Sequence, residues 1–224
     1  MLTVESPLPA VADPKTVEIH PTRPLVIVDV DEVLALFMVG FGRFLEPKGY
    51  EMRVDRFALF QNIYRLGATE HLDVTEGRSL FDDFFRFGHH HLEPTPHAAD
   101  SLRALSRAAS VVILTNAPDC GREPRAAWLA RHGMDYPMVI NQGAKGEAVA
   151  ILAGRTSAPA VFIDDLLPNL ESAAEAAPRV HRFQLVADPR LRPLAPSAPE
   201  RHRRIDDWPS LRAAIAETLG LTAP

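Results

Sequence analysis

The sequence predicts an α/β protein: a doubly wound, parallel, five-stranded sheet with a small α-helical cap inserted into it. Three observations predict it. Short apolar runs recur along the chain and end in polar residues, as Leu25-Val26-Ile27-Val28 ends in Asp29. Such runs read as strands buried on both faces. From Glu93 onward they alternate with helical patterns, the order that builds parallel sheets from crossover units. The first crossover, from Asp31 to Val111, is too long for a structureless loop and must carry its own fold.

Each element follows in turn. Residues 1–23 are rich in Pro, polar and small residues and read as a loosely tied, flexible arm. Leu25–Val28 is the first strand. Val33 to Leu45 is one dense apolar and aromatic run, too long for a strand and so expected as a helix, stopped by Pro47-Lys48-Gly49. Arg56 to Leu66 places Phe57, Phe60, Ile63 and Tyr64 at helical spacing, and a third segment does the same with Leu80, Phe81, Phe84, Phe85 and Phe87. Nine of the eleven phenylalanines lie between Phe37 and Phe87, a shift in composition that marks a separate unit. The cap is therefore placed at 37–92, and the α/β core at 24–36 and 93–224.

Within the core, Thr95-Pro96 reads as N-cap and first helical position of a helix over Ala98–Ala109. Strands are expected at Val111–Thr115, Met138–Asn141, Ala160–Asp164 and Val180–Val186. Helices are expected at Glu123–His132, Gly146–Ala153, Asn169–Ala177 and Ser210–Leu219. Residues 187–205 are rich in Pro and Arg and are expected to be irregular.

Composition limits the class of function. The chain has 224 residues, 46% of them hydrophobic, which is enough for a sizeable core. Its net charge is −5 and it has no long basic run, so no nucleic-acid partner is expected. Arg201-His202-Arg203-Arg204 lies beside Asp206 and Asp207 and reads as solvated surface. The single cysteine, Cys120, rules out an intrachain disulfide and is compatible with a reducing compartment. No basic-then-apolar leader opens the sequence, and no apolar run approaches the roughly 18 residues that span a bilayer. A cytoplasmic protein without a membrane partner is expected; oligomeric state is left open.

The chemistry lies at the strand ends. Asp29 and Asp31 are two apart in an extended segment, so their side chains point the same way. Val111–Leu114 runs into Thr115-Asn116, Lys145 opens a helix, and Val161–Ile163 runs into Asp164-Asp165. In a parallel sheet these ends share one edge, where open α/β sheets bind ligands. Four carboxylates converging there repel and imply a cation, and an oxygen-rich, water-retaining site favours Mg²⁺. A carboxylate is a competent nucleophile toward phosphorus, and a second acid can protonate a leaving oxygen. Lysine and a threonine hydroxyl can hold phosphoryl oxygens.

With these residues in order, the chain resembles the haloacid-dehalogenase (HAD) superfamily. The resemblance rests on Asp29-Val30-Asp31-Glu32-Val33, then Leu114-Thr115-Asn116, then Lys145, then Ile163-Asp164-Asp165, and covers nearly all of residues 24–186. It implies a Rossmann-like core with a helical, C1-type cap, and a Mg²⁺-dependent phosphatase acting on a small phosphorylated metabolite. By position, Asp29 is implied as nucleophile and Mg²⁺ ligand, forming an aspartyl-phosphate. Asp31 is implied as general acid/base, with its backbone carbonyl also on the metal. Thr115, Asn116 and Lys145 are implied to bind phosphate. Asp164 and Asp165 are implied to complete the metal site, and the resemblance leaves open which of them ligates directly.

The second acid discriminates within the superfamily. The dehalogenases lack it, so Asp31 favours phosphate esters over carbon–halogen bonds. Glu32 stands where relatives often have Gly. The segment Asp29–Phe37 is similar to the deoxyribonucleotidase pattern, but with Glu32 and Leu36 in place of Gly and Asp. A phosphotransferase, a nucleotidase-type enzyme and a non-catalytic binding protein of the same fold are the alternatives. Three further features read as structural. His89-His90-His91 is expected as a surface turn, because consecutive histidines do not converge on one ion. The cap phenylalanines are expected to form a small core, and Cys120 is expected to be structural.

Overall fold

In the computed structural model, residues 12–221 are described. In chain order they form β1 (Leu25–Val28), α1 (Phe37–Leu45), β2 (Tyr50–Met52), β3 (Ile63–Arg65), α2 (Val74–Phe87), α3 (Ala98–Ser106), β4 (Ser110–Asn116), α4 (Arg122–Arg131), β5 (Met138–Asn141), α5 (Gly146–Ala153), β6 (Ala160–Asp164), α6 (Leu167–Ala176), β7 (His181–Gln184), β8 (Arg203–Arg204) and α7 (Trp208–Thr218). The main sheet runs β5-β4-β1-β6-β7-β8, every neighbouring pair parallel.

Strand β1 is wholly buried, as its unbroken apolar sequence requires. Its alternate residues serve two cores. Leu25 and Ile27 pack with residues of α5 and α6, among them Val149, Leu152 and Leu170. Val26 and Val28 pack with residues of α3, α4, α7 and the cap, among them Leu102, Trp128, Leu211 and Phe41. From β1 the chain builds outward through β4 and β5. From β6, on the other side of β1, it builds the opposite way through β7 and β8. The strand order therefore reverses beside β1, and a crevice opens at the carboxyl ends of β1 and β6.

The sheet has six strands where five were expected. The extra one, β8, lies inside the stretch expected to be irregular. It pairs Phe183 with Arg203 and Gln184 with Arg204, and Arg204 is held in register by Asp206, at 3.0 Å. The basic stretch 201–204 is consequently not all solvated: His202 is fully buried. Of the stretch read as an arm, residues 1–11 lie outside the described residues. Residues 12–23 run along the core. Ala12 N–H donates to the Met138 carbonyl (2.8 Å), Ser157 N–H to Pro21 (2.9 Å) and Arg23 Nη2 to Ser106 (3.0 Å), while Val17 is buried.

The insertion between β1 and β4 carries the expected helical cap, with two differences. The helix expected from Val33 starts at Phe37, because Val30 O accepts from Leu34 and Ala35 N–H in a tight turn (2.8 and 2.9 Å). It ends in a short turn at Gly49, whose φ of 84° lies in the left-handed region open to glycine. The helix expected over Arg56–Leu66 is absent. Buried Asn62 instead donates through Nδ2 to the carbonyls of Arg56 (2.9 Å) and Ala58 (2.7 Å). A side chain competing for those carbonyls favours a turn over a helix. The chain then returns as β3, antiparallel to β2.

Helices α1 and α2 meet through phenylalanines: Phe41 and Phe84 rings lie 5.1 Å apart, and Phe37 and Phe84 5.3 Å apart. His89 joins this cluster, 5.4 Å from the Phe85 ring, and is buried rather than part of a surface turn. Thr95 does not cap α3. It is buried with its N–H on Leu34 O (2.8 Å), and His97 precedes the helix without a side-chain cap bond.

Candidate active site

Three strand ends and three helices bring the site together. Asp29 follows β1, its N–H still bonded to Ile163 O of β6 (3.0 Å). Two residues on, Asp31 leaves the ladder in the turn at Val30. Asp164 ends β6 and Asp165 follows it, and both are buried. Thr115 lies near the end of β4 and is fully buried. Lys145 precedes α5. Gly146, next to it, permits a close approach to α6: a Cβ there would lie 2.3 Å from Ser172 O, and Gly146 N–H donates to Ser172 Oγ (3.0 Å). That contact sets Lys145 under the crevice.

Lys145 Nζ lies 2.7 Å from Asp29 Oδ1 and 2.7 Å from Asp164 Oδ2, so one buried ammonium bridges two carboxylates. Burial alone would lower its pKa, but Asp164 and Asp29 outweigh burial and the net shift is upward. Asp164 is held further by the Leu166 N–H (2.9 Å) and Asn169 Nδ2 (3.0 Å), both on Oδ1. Burial, only partly offset by Lys145, raises Asp164 to about 6. Asp165 is raised well above the usual carboxylate range by burial and then by Asp164 and Asp29. Carboxylate oxygens of Asp29, Asp164 and Asp165 lie within 4.8 Å of one another. Three buried acids sharing one ammonium leave negative charge without a partner, and an all-oxygen donor set of this kind suits a hard divalent cation. These residues fit such an ion.

Asp31 stands apart from that trio. Its carboxylate receives a two-pronged ion pair from Arg125 of α4: Nη2 to Oδ1 at 2.7 Å and Nη1 to Oδ2 at 3.0 Å. Arg125 Nη1 also donates to Thr115 Oγ1 at 2.6 Å, and the guanidinium lies over the Phe85 ring, 4.6 Å from its centre. Burial raises the pKa of Asp31 against the lowering pull of Arg125.

Asn116 lies on the wall of the chamber above the carboxylates, but both ends of its amide are engaged. Nδ2 donates to Gly143 O (2.9 Å) and Oδ1 accepts from Asn141 Nδ2 (2.9 Å), bracing the loop after β5. Cys120 is not part of that wall; its thiol meets Asp82 O at 3.7 Å.

Two members of the constellation were not foreseen. Arg125 was legible in principle, because it shares a helix face with Trp128 and Leu129, three and four residues on, and a charge on a buried stripe demands a partner. Asn169 gives no such signal. Glu32, noted only as a departure from relatives, proves to be buried. Its Oε1 accepts from Met38 N–H (2.8 Å) and its Oε2 from Asp188 N–H (3.2 Å). Burial raises its pKa to about 8.

No family model and no curated protein matches the chain. Solved structures do. A conserved haloacid dehalogenase-like protein of unknown function from Agrobacterium tumefaciens aligns at 17% identity over 86% of this chain and 97% of its own, with a TM-score of 0.57. The hydrolase SP0104 of the haloacid dehalogenase-like family, from Streptococcus pneumoniae, aligns at 13% identity over 87% and 98%, TM-score 0.57. YfnB from Bacillus subtilis, solved bound to magnesium, aligns at 15% identity over 88% and 99%, TM-score 0.57. The fold is thus the haloacid-dehalogenase-like fold. No helix among the described residues is long and apolar enough to cross a membrane.

Proposed function

We propose that the protein is a Mg²⁺-dependent phosphatase that hydrolyses a small organic phosphate monoester through an aspartyl-phosphate, with the 37–92 insertion acting as a C1-type cap. The observation that carries this reading is the buried trio of Asp29, Asp164 and Asp165 with Lys145 bridging Asp29 and Asp164 at 2.7 Å each. The magnesium bound by YfnB, of similar fold, supports the choice of ion.

Asp29 attacks phosphorus, and the bond from phosphorus to the leaving oxygen breaks as that oxygen takes a proton from Asp31. Water then attacks the acyl-phosphate, Asp31 takes its proton, and phosphate leaves with Asp29 restored. Lys145, on the chamber wall, would offset the charge of the phosphoryl oxygens, with the Thr115 hydroxyl as a further hydrogen-bond donor to them. Arg125 fixes the direction of Asp31 and the hydroxyl of Thr115 together. Asp29, Asp164 and Asp165, with the backbone carbonyl of Asp31, would hold the ion, which when bound offsets the crowded carboxylates and the phosphoryl charge.

Release of phosphate from p-nitrophenyl phosphate, measured with Mg²⁺ and with EDTA, tests the proposal. Activity is expected with the metal only, and Asp29→Asn is expected to abolish it. An Asp29→Asn protein as active as wild type overturns the mechanism.

A further inference from the structure

The chamber over the carboxylates is polar at one end only. It encloses about 250 Å³, below the ~300–1,000 Å³ usual for ligand sites. Its floor is the catalytic edge of the sheet. Its cap side is formed by Phe37 and Met38 of α1, Phe57, Ala58 and Leu59 of the loop before β3, and Phe81 of α2. Leu166 and Leu191 of the core complete the wall. Among the described residues, no lysine, arginine or histidine of the cap lines it. Its one lining cation, Lys145, is already spent on Asp29 and Asp164. Leu59, Phe81 and Asn116 also line a neighbouring groove, so they form the partition between the two spaces. Arg78 of the cap lies in that second groove together with Asp82.

We infer that the substrate's leaving group is apolar and uncharged, an aryl, benzyl or short alkyl alcohol, and that the cap selects for it. The inference rests on the phosphatase reading above and names its substrate class. A carboxylate or second phosphate on the leaving group would be buried with no cation to meet it, close to acids that repel it. The hydroxyls of a sugar or polyol reaching toward the cap would lose water against Phe37, Met38, Phe57, Leu59 and Phe81 without meeting a polar side chain there. An apolar group instead gains by burial against the three phenylalanines. The volume suits a single ring or a short chain beside the phosphoryl group.

Binding and turnover separate this inference from the reading beneath it. Calorimetry with Mg²⁺ present compares benzylphosphonate with phosphonoacetate, two non-hydrolysable mimics that share the phosphoryl end. Benzylphosphonate is expected to bind roughly 10–100-fold tighter. Equal or weaker binding overturns the inference, whether or not the protein turns over any ester. In parallel, kcat/KM for benzyl phosphate is expected to exceed that for glycerol 3-phosphate and phosphoglycolate by a similar factor. Turnover that favours either polar ester overturns the inference but leaves the phosphatase reading standing. Absence of turnover on every ester, p-nitrophenyl phosphate included, with benzylphosphonate still bound the tighter, sinks the phosphatase reading and upholds the apolar chamber. Leu59→Arg puts a cation into the half-buried wall and is expected to reverse the order of the two phosphonates.

Discussion

Arg125 grips Asp31 by both of its carboxylate oxygens, at 2.7 and 3.0 Å, from a position with no solvent exposure of its own. The pair joins α4 to the turn after β1, and the hydrogen bond to Thr115 ties in the end of β4. Arg125→Met removes the guanidinium and leaves Asp31 and Thr115 facing an apolar side chain. Breaking a buried pair costs ~3–5 kcal/mol, and the 25% exposure of the Asp31 side chain places this one toward the low end. The double variant Arg125→Met/Asp31→Asn is expected to recover part of the loss, because no unpaired charge remains. Urea midpoints of the two proteins measure it. A double variant no more stable than the single one refutes the account.

The difference between what the sequence disclosed and what it withheld follows a physical line. Asp29, Thr115, Lys145 and Asp164 are placed by local rules, because strand ends and helix starts in a parallel sheet fall on one edge whatever the side chains beyond do. Arg125 reaches the site from the second turn of a helix, and only the packing of α4 against the sheet brings it there. β8 is two residues long and charged, so it has no apolar period to read. The β2–β3 hairpin was hidden by Asn62, whose amide closes a turn inside a segment with helical spacing.

The carboxylate trio predicts a pH-dependent response to metal. Asp164 is raised from the usual 3.8 to about 6 and Asp165 is raised also. A raised carboxyl means that the folded state holds protons that the unfolded state has lost. Metal-free stability is therefore fully present below about 3.8 and declines as pH rises through about 6. Mg²⁺ needs the ionised forms, so its binding strengthens over the same window. The rise in Tm on adding Mg²⁺ is expected to be larger at pH 8 than at pH 5, reaching about 2.7 kcal/mol of stabilisation at one hundred times Kd. Asp165→Asn is expected to shrink it. An equal shift at both pH values counts against the site.

His89 predicts acid sensitivity of the cap. Burial, and then the positive Arg125, push its pKa down to about 3. The ring is neutral in the fold, whereas in the unfolded chain it titrates near 6.5. Stability from this residue is fully present above 6.5 and is lost as pH falls from there toward 3, by up to about 1.4 kcal/mol per pH unit. His89→Leu, similar in volume and unable to charge, is expected to flatten the pH dependence of the urea midpoint between pH 6.5 and 5. A slope unchanged by the substitution assigns the acid sensitivity elsewhere.

Glu32 predicts an order among three substitutions at one position. The residue has φ of 57°, in the left-handed region, which costs an L side chain roughly 1–2 kcal/mol. Its carboxyl repays this by accepting from the N–H groups of Met38, at the start of the cap helix, and Asp188, in the loop after β7. Glu32→Gln keeps one acceptor and turns an amide nitrogen toward the other N–H. Glu32→Gly loses both acceptors but relaxes the backbone. Glu32→Ala loses both and keeps the strained φ. Stability is therefore expected to fall from wild type through Gln and Gly to Ala, with Ala below Gly by about 1 kcal/mol. Because Glu32 joins the first turn of the cap to the core, kcat/KM for the best ester is expected to fall in the same order while Mg²⁺ affinity stays near that of wild type. Urea midpoints, ester kinetics and calorimetry read the three quantities separately. An alanine variant as stable as the glycine one shows that the left-handed turn stores no strain.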